Sequence, residues 1–146
     1  MINISFSFVP FVIRLVKRKQ TDSMKTHVNL YIGSKIRDHR KMIKSLTESR
    51  LPMGFYIVCF IDGGNRLNIL SALLFAQRYY KDMDCEIVAL VNSKEEAFEY
   101  VRGLSEISVR KFGEFDARRV IDSLNGRELE SLRTQYEESE KEEWLS

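Results

Sequence analysis

The 146-residue chain contains two cysteines, two histidines and no long uninterrupted apolar run. Each scarcity removes a class of protein. Two cysteines build neither a disulfide framework nor a metal spacing. Cys59 and Cys85 lie inside apolar runs that read as strands, so both are expected to be buried small hydrophobes in a reducing, cytoplasmic setting. His27 and His39 sit in a basic segment, and no Ser/His/Asp order or nucleophile elbow accompanies them. Neither Gly-x-x-x-x-Gly-Lys-Ser/Thr nor Gly-x-Gly-x-x-Gly occurs, which excludes the P-loop and the dinucleotide fingerprint. A restriction-type metal nuclease needs Glu-x-Lys on a strand. Glu86 is followed by Ile87 and Val88, so the lysine is missing. No metal and no cofactor are expected.

The apolar stretch Ile2 to Val16 is broken by Asn3, Ser5, Ser7, Pro10 and Arg14. It falls short of the ~20 residues of a membrane helix. The basic triplet Lys17-Arg18-Lys19 follows it, the reverse of a signal peptide. No membrane span is expected. Residues 1–23 read as an N-terminal extension outside the fold. They are either an alternating strand (Ile4, Phe6, Phe8) or sequence upstream of a start at Met24, with an amphipathic anchor as the third reading.

What remains is an ordinary globular composition, 44% hydrophobic and 30% charged, enough for one domain with its own core. Net charge is only +2, but it is unevenly placed. Arg14 to Arg50 carries eleven Lys/Arg against Asp22, Asp38 and Glu48, whereas Glu128 to Glu143 carries seven acids against Arg133 and Lys141. A basic front and an acidic tail point to an anionic ligand near the front, or to two solvated helix faces.

Periodicity then orders the chain. His27 to Ile32 alternates and reads as a strand with Val28, Leu30 and Ile32 on one face. Ile36 to Arg50 reads as a basic amphipathic helix stopped at Leu51-Pro52. Phe55 to Ile61 is a continuous apolar run, the pattern of a parallel strand buried on both faces. Leu67 to Tyr80 reads as a buried helix and Glu86 to Val91 as a strand. Ser93 and Glu96 form a capping box opening the helix of Ala97, Phe98, Val101 and Leu104. Ile107 to Phe112 reads as a short strand. Asp116 caps a helix ending at Asn125-Gly126, and Arg127 to Trp144 forms the last helix, with Leu129, Leu132 and Tyr136 on one face. This alternation predicts a Rossmann-like, three-layer α/β domain over 24–126 with a mostly parallel sheet of about four strands, followed by an acidic C-terminal helix over 127–146.

The turn Asp62-Gly63-Gly64-Asn65-Arg66 is where this reading puts chemistry. Two glycines let backbone approach a ligand, an opening helix would offer free N–H groups to an anion, and Arg66 adds a cation. Gly33-Ser34-Lys35, after the first strand, is expected on the same edge of the sheet. A plain tight connection explains the glycine pair equally well.

The strand followed by Gly63, Gly64, Asn65 and Arg66 and then an apolar helix resembles the ligand turn of CRISPR-associated Rossmann fold (CARF) domains. That resemblance implies a cyclic oligoadenylate bound at a homodimer interface by Gly33, Gly63, Gly64, Asn65 and Arg66. Some members are ring nucleases that cleave the ligand without metal, and Ser34, Lys35 and Arg66 stand at the matching places. Two non-catalytic alternatives come from the residues themselves. One is a protein-interaction module using Leu129, Leu132, Tyr136 and Trp144. The other is a nucleic-acid-backbone binder using the basic residues from Lys17 to Arg50. Aromatics for base stacking are scarce in that basic part, Tyr31 being the nearest.

Overall fold

Two apolar runs set the centre of the molecule. The computed structural model describes residues 24–47, 54–77 and 83–145. Tyr56–Ile61 (β2) and Cys85–Val91 (β4) are its interior strands. Met24–Ile32 (β1) flanks β4 and Asn68–Ser71 (β3) flanks β2, giving the order β1-β4-β2-β3. The helices are His39–Thr47 (α1), Lys94–Phe112 (α2), Ala117–Ser123 (α3) and Gly126–Leu145 (α4), with a 3-10 segment at Ala72–Ala76.

The sheet is mixed, which corrects the expectation of a mostly parallel one. β1 runs parallel to β4, but β2 is antiparallel to both β4 and β3. Unbroken apolarity in β2 and β4 reflects helices on both faces and carries no information about strand direction. Ile57, Cys59, Ile61, Cys85, Ile87 and Leu90 face one layer, where Leu46 of α1 and Phe75 of the 3-10 segment close the core. Val58, Phe60, Val88, Ala89 and Val91 face the other, under Tyr100 and Leu104 of α2, Val120 and Ile121 of α3, and Leu132 of α4. Each such side chain, fully buried, contributes about 1.5–3 kcal/mol.

Three further local readings change. Residues 68–71 are a strand, so the buried helix read from Leu67 is not there (Arg78 to Tyr80 lie outside the described residues). Burial alternates along it, with Asn68 and Leu70 buried and Ile69 and Ser71 partly so. Ser71 then caps the 3-10 segment, accepting from Leu73 N–H at 3.3 Å. Ile107 to Phe112 continues α2 as helix. That helix runs from its cap at Ser93 to Gly113, whose φ of 81° ends it in the left-handed region. The alternation of Ile107 and Val109 is local, since Ile107 is buried and Val109 is exposed.

β1 differs most from a regular strand. Its register with β4 jumps from Thr26↔Ile87 to Tyr31↔Ala89, so residues 27–30 bulge opposite Val88. Val28, expected on a buried face, is 93% exposed. The bulge is fastened to α3. Asn29 Nδ2 donates to Ile121 O at 2.9 Å and His27 Nε2 meets Asp122 at 2.7 Å. Asn29 N–H donates to His27 Nδ1, so the ring proton sits on Nε2, facing the carboxylate.

α4 is capped reciprocally by Asn125 and Glu128, each side chain accepting from the other's backbone N–H at 2.8 and 3.1 Å. It lies close on α2 because position 103 is glycine. A Cβ there would stand 2.3 Å from Leu132 Cδ2.

Candidate functional site

The antiparallel course of β2 decides how the two glycine turns relate. Gly33 N–H donates to Leu90 O at 2.8 Å, while Asp62 N–H donates to Asp84 O at 2.9 Å. Both turns are thus anchored on β4, six residues apart, about 20 Å at ~3.3 Å per residue. They open at opposite ends of the sheet. Within one chain, Gly33, Ser34 and Lys35 are not brought together with Gly63, Gly64, Asn65 and Arg66. The expectation of a shared edge is corrected, because it rested on β2 being parallel.

The Gly63 turn belongs to a hairpin. Asp62 (φ 51°) and Gly63 (φ 73°) are both left-handed, and Gly64 N–H donates to Ile61 O at 3.0 Å. This is the pattern of a type I′ turn, for which Asp-Gly is a favoured pair. No helix begins behind it, so helix N–H groups are not supplied there. Instead the turn holds the start of α3. Asn65 Oδ1 accepts from Arg118 N–H at 2.8 Å, and Asn65 Nδ2 donates to Asp116 at 3.1 Å. Arg118 lies 4.1 Å over the Phe60 ring, donates to Gly64 O at 2.7 Å and pairs with Glu86 at 2.8 Å. Asp116 is the α3 cap, accepting from Arg119 N–H. Its carboxyl is held below the ordinary range by the Asn65 amide first and that N–H second, against slight burial. The side chain of Arg66 is exposed and makes no ion pair with a described residue. A cavity of about 240 Å³ beside the turn is lined by Lys25 and Arg118 together with Asp84 and Glu86, so its charge is balanced.

The Gly33 turn is organised around a carboxylate. Glu96 is 1% exposed and accepts from the Tyr31 hydroxyl at 3.0 Å. Burial pushes its carboxyl above the ordinary range. The Tyr31 hydroxyl and backbone N–H groups of Ser34 and Asn92 pull it back without reversing the sign. A Cβ at Gly33 would lie 2.7 and 2.9 Å from the two Glu96 oxygens. Glycine is needed here for the carboxylate to come this close. The place an anion would take beside Ser34 is therefore already negative. Ser34 is exposed, and Lys35 pairs with Glu140 of α4 at 2.8 Å. The capping-box reading of Glu96 saw its position but not this contact, which spans from α2 to the β1–α1 turn.

The apolar face expected on the last helix is largely consumed. Leu132 is buried, Leu129 packs on the same core, and Tyr136 meets Ser93 at 3.4 Å. The Trp144 side chain, Lys17 to Lys19 and Arg50 lie outside the described residues. Cys59 and Cys85 are buried free thiols. The Cys59 thiol, then burial, push the Cys85 thiol far up, so it is no nucleophile. Among the described residues no three His, Cys, Asp or Glu side chains stand together as metal ligands. Nor is any described helix long and apolar enough to cross a membrane.

The most distinct basic surface among the described residues is at α1. Ile36, Met42, Ile43 and Leu46 turn inward. Arg40, Lys41 and Lys44 are exposed on α1, and Arg37 is exposed in the bend before it, since the helix begins at His39 and not at Ile36. Asp38, the only acid in the segment, is occupied in accepting from Lys41 N–H at the helix start. Arg37, Arg40 and Lys41 make no ion pair with described residues. By contrast Lys35, Arg102, Lys111, Arg118 and Arg133 each meet a carboxylate.

No protein-family model, no curated protein and no solved structure matches this chain.

Proposed function

We propose that this protein is a non-catalytic α/β module that binds the phosphate backbone of nucleic acid through α1. The observation that carries the reading is the exposed set Arg37, Arg40 and Lys41, in the bend before α1 and on its first turn, on a helix whose other face is anchored in the core. Arg40 and Lys41 stand on that helix with Arg37 next to its start, so little ordering is needed to place these cations against successive phosphates. The acidic helix α4 lies on the other face of the sheet, so the molecule presents opposite charges on its two layers. That arrangement orients the approach of a polyanion.

Fluorescence anisotropy with a labelled duplex, over a range of salt, tests this. Three phosphate contacts predict a slope of log K against log[salt] of roughly −2.5 to −3. Arg40→Ala with Lys41→Ala should lower affinity for all sequences alike and reduce the slope by about 2. A duplex that binds equally well to that double variant would remove α1 from the interface. Cyclic tetra-adenylate serves as a competitor in the same assay. If it binds tightly and loses affinity on Arg66→Ala, the CARF-like sensing reading takes the place of this one, with the two turns meeting across a dimer.

A further inference from the structure

We infer that the groove between the start of α2 and the second half of α4 docks α1 of a second copy of the chain, closing a two-fold dimer. The groove is a cavity of about 460 Å³ on the helical layer, lined by Lys35, Glu95, Phe98, Glu99, Tyr136, Glu140 and Glu143, with two serines. Four carboxylates face one ammonium there. Lys35 is held by Glu140 and Glu99 by Arg102, so the rim is fixed in place. Phe98, 58% exposed, lines this hollow together with Tyr136. Carboxylates beside two aromatic faces suit guanidinium groups, which pair with the first and stack on the second.

The chain carries the complementary surface itself. Arg40 and Lys41 are exposed on the first turn of α1, and Arg37 is exposed in the bend just before it. Lys35, which lines the groove, is two residues before Arg37, so basic ridge and acidic hollow adjoin at the same end of the sheet. Their own positions prevent an intramolecular match, because α1 packs on one face of the sheet and α2 and α4 on the other. Two adjoining patches of opposite charge and opposite curvature are self-complementary under a two-fold rotation, the condition for a closed isologous contact. Each copy then places its ridge in the other's hollow.

Sedimentation velocity of the full chain without nucleic acid tests this independently of α1's proposed ligand. A dimer is expected at about 50 mM NaCl, weakening tenfold or more by about 500 mM as the charges are screened. Glu95→Lys with Glu99→Lys should be monomeric, as should Arg40→Glu with Lys41→Glu. Mixed in equal amounts they should form a heterodimer, since each contact then joins opposite charges again. Milder Glu95→Gln with Glu99→Gln, checked by circular dichroism, covers the case in which a charge reversal disturbs α2, and it should still weaken the dimer. A wild-type monomer at low salt, reversed variants that dimerise unchanged, or a mixture that stays monomeric would overturn the inference. Species growing beyond the dimer would overturn the two-fold closure. Duplex and dimer compete for the same basic residues at α1. The monomeric Glu95→Lys with Glu99→Lys variant, with α1 uncovered, should therefore bind duplex at least as tightly as the wild type. This separates failure of the dimer from failure of the nucleic-acid reading.

Discussion

Gly33→Ala probes why the β1–α1 turn has its sequence. The new Cβ would stand 2.7 and 2.9 Å from the Glu96 oxygens and 3.0 Å from the carboxyl carbon, well inside ordinary contact. The carboxylate must move by several tenths of an ångström, and it is buried with the Tyr31 hydroxyl on it at 3.0 Å. Weakening one charge-assisted hydrogen bond costs about 1.5–3 kcal/mol. Removing glycine from the unfolded chain returns about 0.4–1 kcal/mol. The net loss is therefore about 1–2 kcal/mol, read by urea denaturation. The decisive comparison is the same substitution in a Glu96→Ala background. There the Cβ meets no carboxylate, so Gly33→Ala becomes neutral or slightly stabilising, a coupling of about 2 kcal/mol. Equal losses in both backgrounds would refute the argument that Glu96 is what requires glycine. Unchanged stability with lost ligand binding would point back to a ligand-cradling turn.

Two further outcomes follow from the same contacts. Asn65→Ala removes the cap on Arg118 N–H and the partner of Asp116, so about 1 kcal/mol of stability should be lost and the Asp116 carboxyl should titrate higher, as followed by carbon NMR. An Asp116 titration left as depressed as in the wild type would remove Asn65 from the cap. For Glu96, burial raises the carboxyl above its unfolded value. The native state therefore holds this proton more tightly than the unfolded chain does. Its contribution is complete below the ordinary glutamate range, about pH 4.3, and is lost as pH rises through the raised value. Urea midpoints taken across that window should show this fall in the wild type and not in Glu96→Gln, whereas identical profiles would refute it.

Burial was legible in the sequence, and strand direction was not. The apolar runs around Cys59 and Cys85 read correctly as interior strands, and Ser93 and Asp116 read correctly as caps, because each signal is local. Direction depends on which elements pair, and a strand covered on both faces looks alike either way. One cue was present: Asp62-Gly63 between apolar runs is a hairpin signal, which a reading of the glycines as a strand-to-helix connection does not use. Leu67 to Ala76 misled because its apolar residues satisfy a helical spacing, while buried Asn68 marks a strand. The contacts that fix both glycine turns, Glu96 with Gly33 and Arg118 with Gly64, span about sixty and fifty residues of sequence. No window-based pattern reaches that far. The basic row on α1 was visible in outline. Its clean separation from the core became apparent only with Ile43 and Leu46 turned inward.

The irregularity of β1 bears on how this molecule keeps company with itself at high concentration. Nine residues at a sheet edge would ordinarily template another strand. Here the regular ladder survives only as three residues, Met24 to Thr26, and two, Tyr31 and Ile32. An incoming chain would lose register at the bulge before gaining enough hydrogen bonds to stay. Val28, the most exposed of the large apolar side chains among the described residues, stands on the interruption itself. The bulge thereby interrupts fibril growth along that edge, and exposed Lys25 on the same strand adds a charge against it.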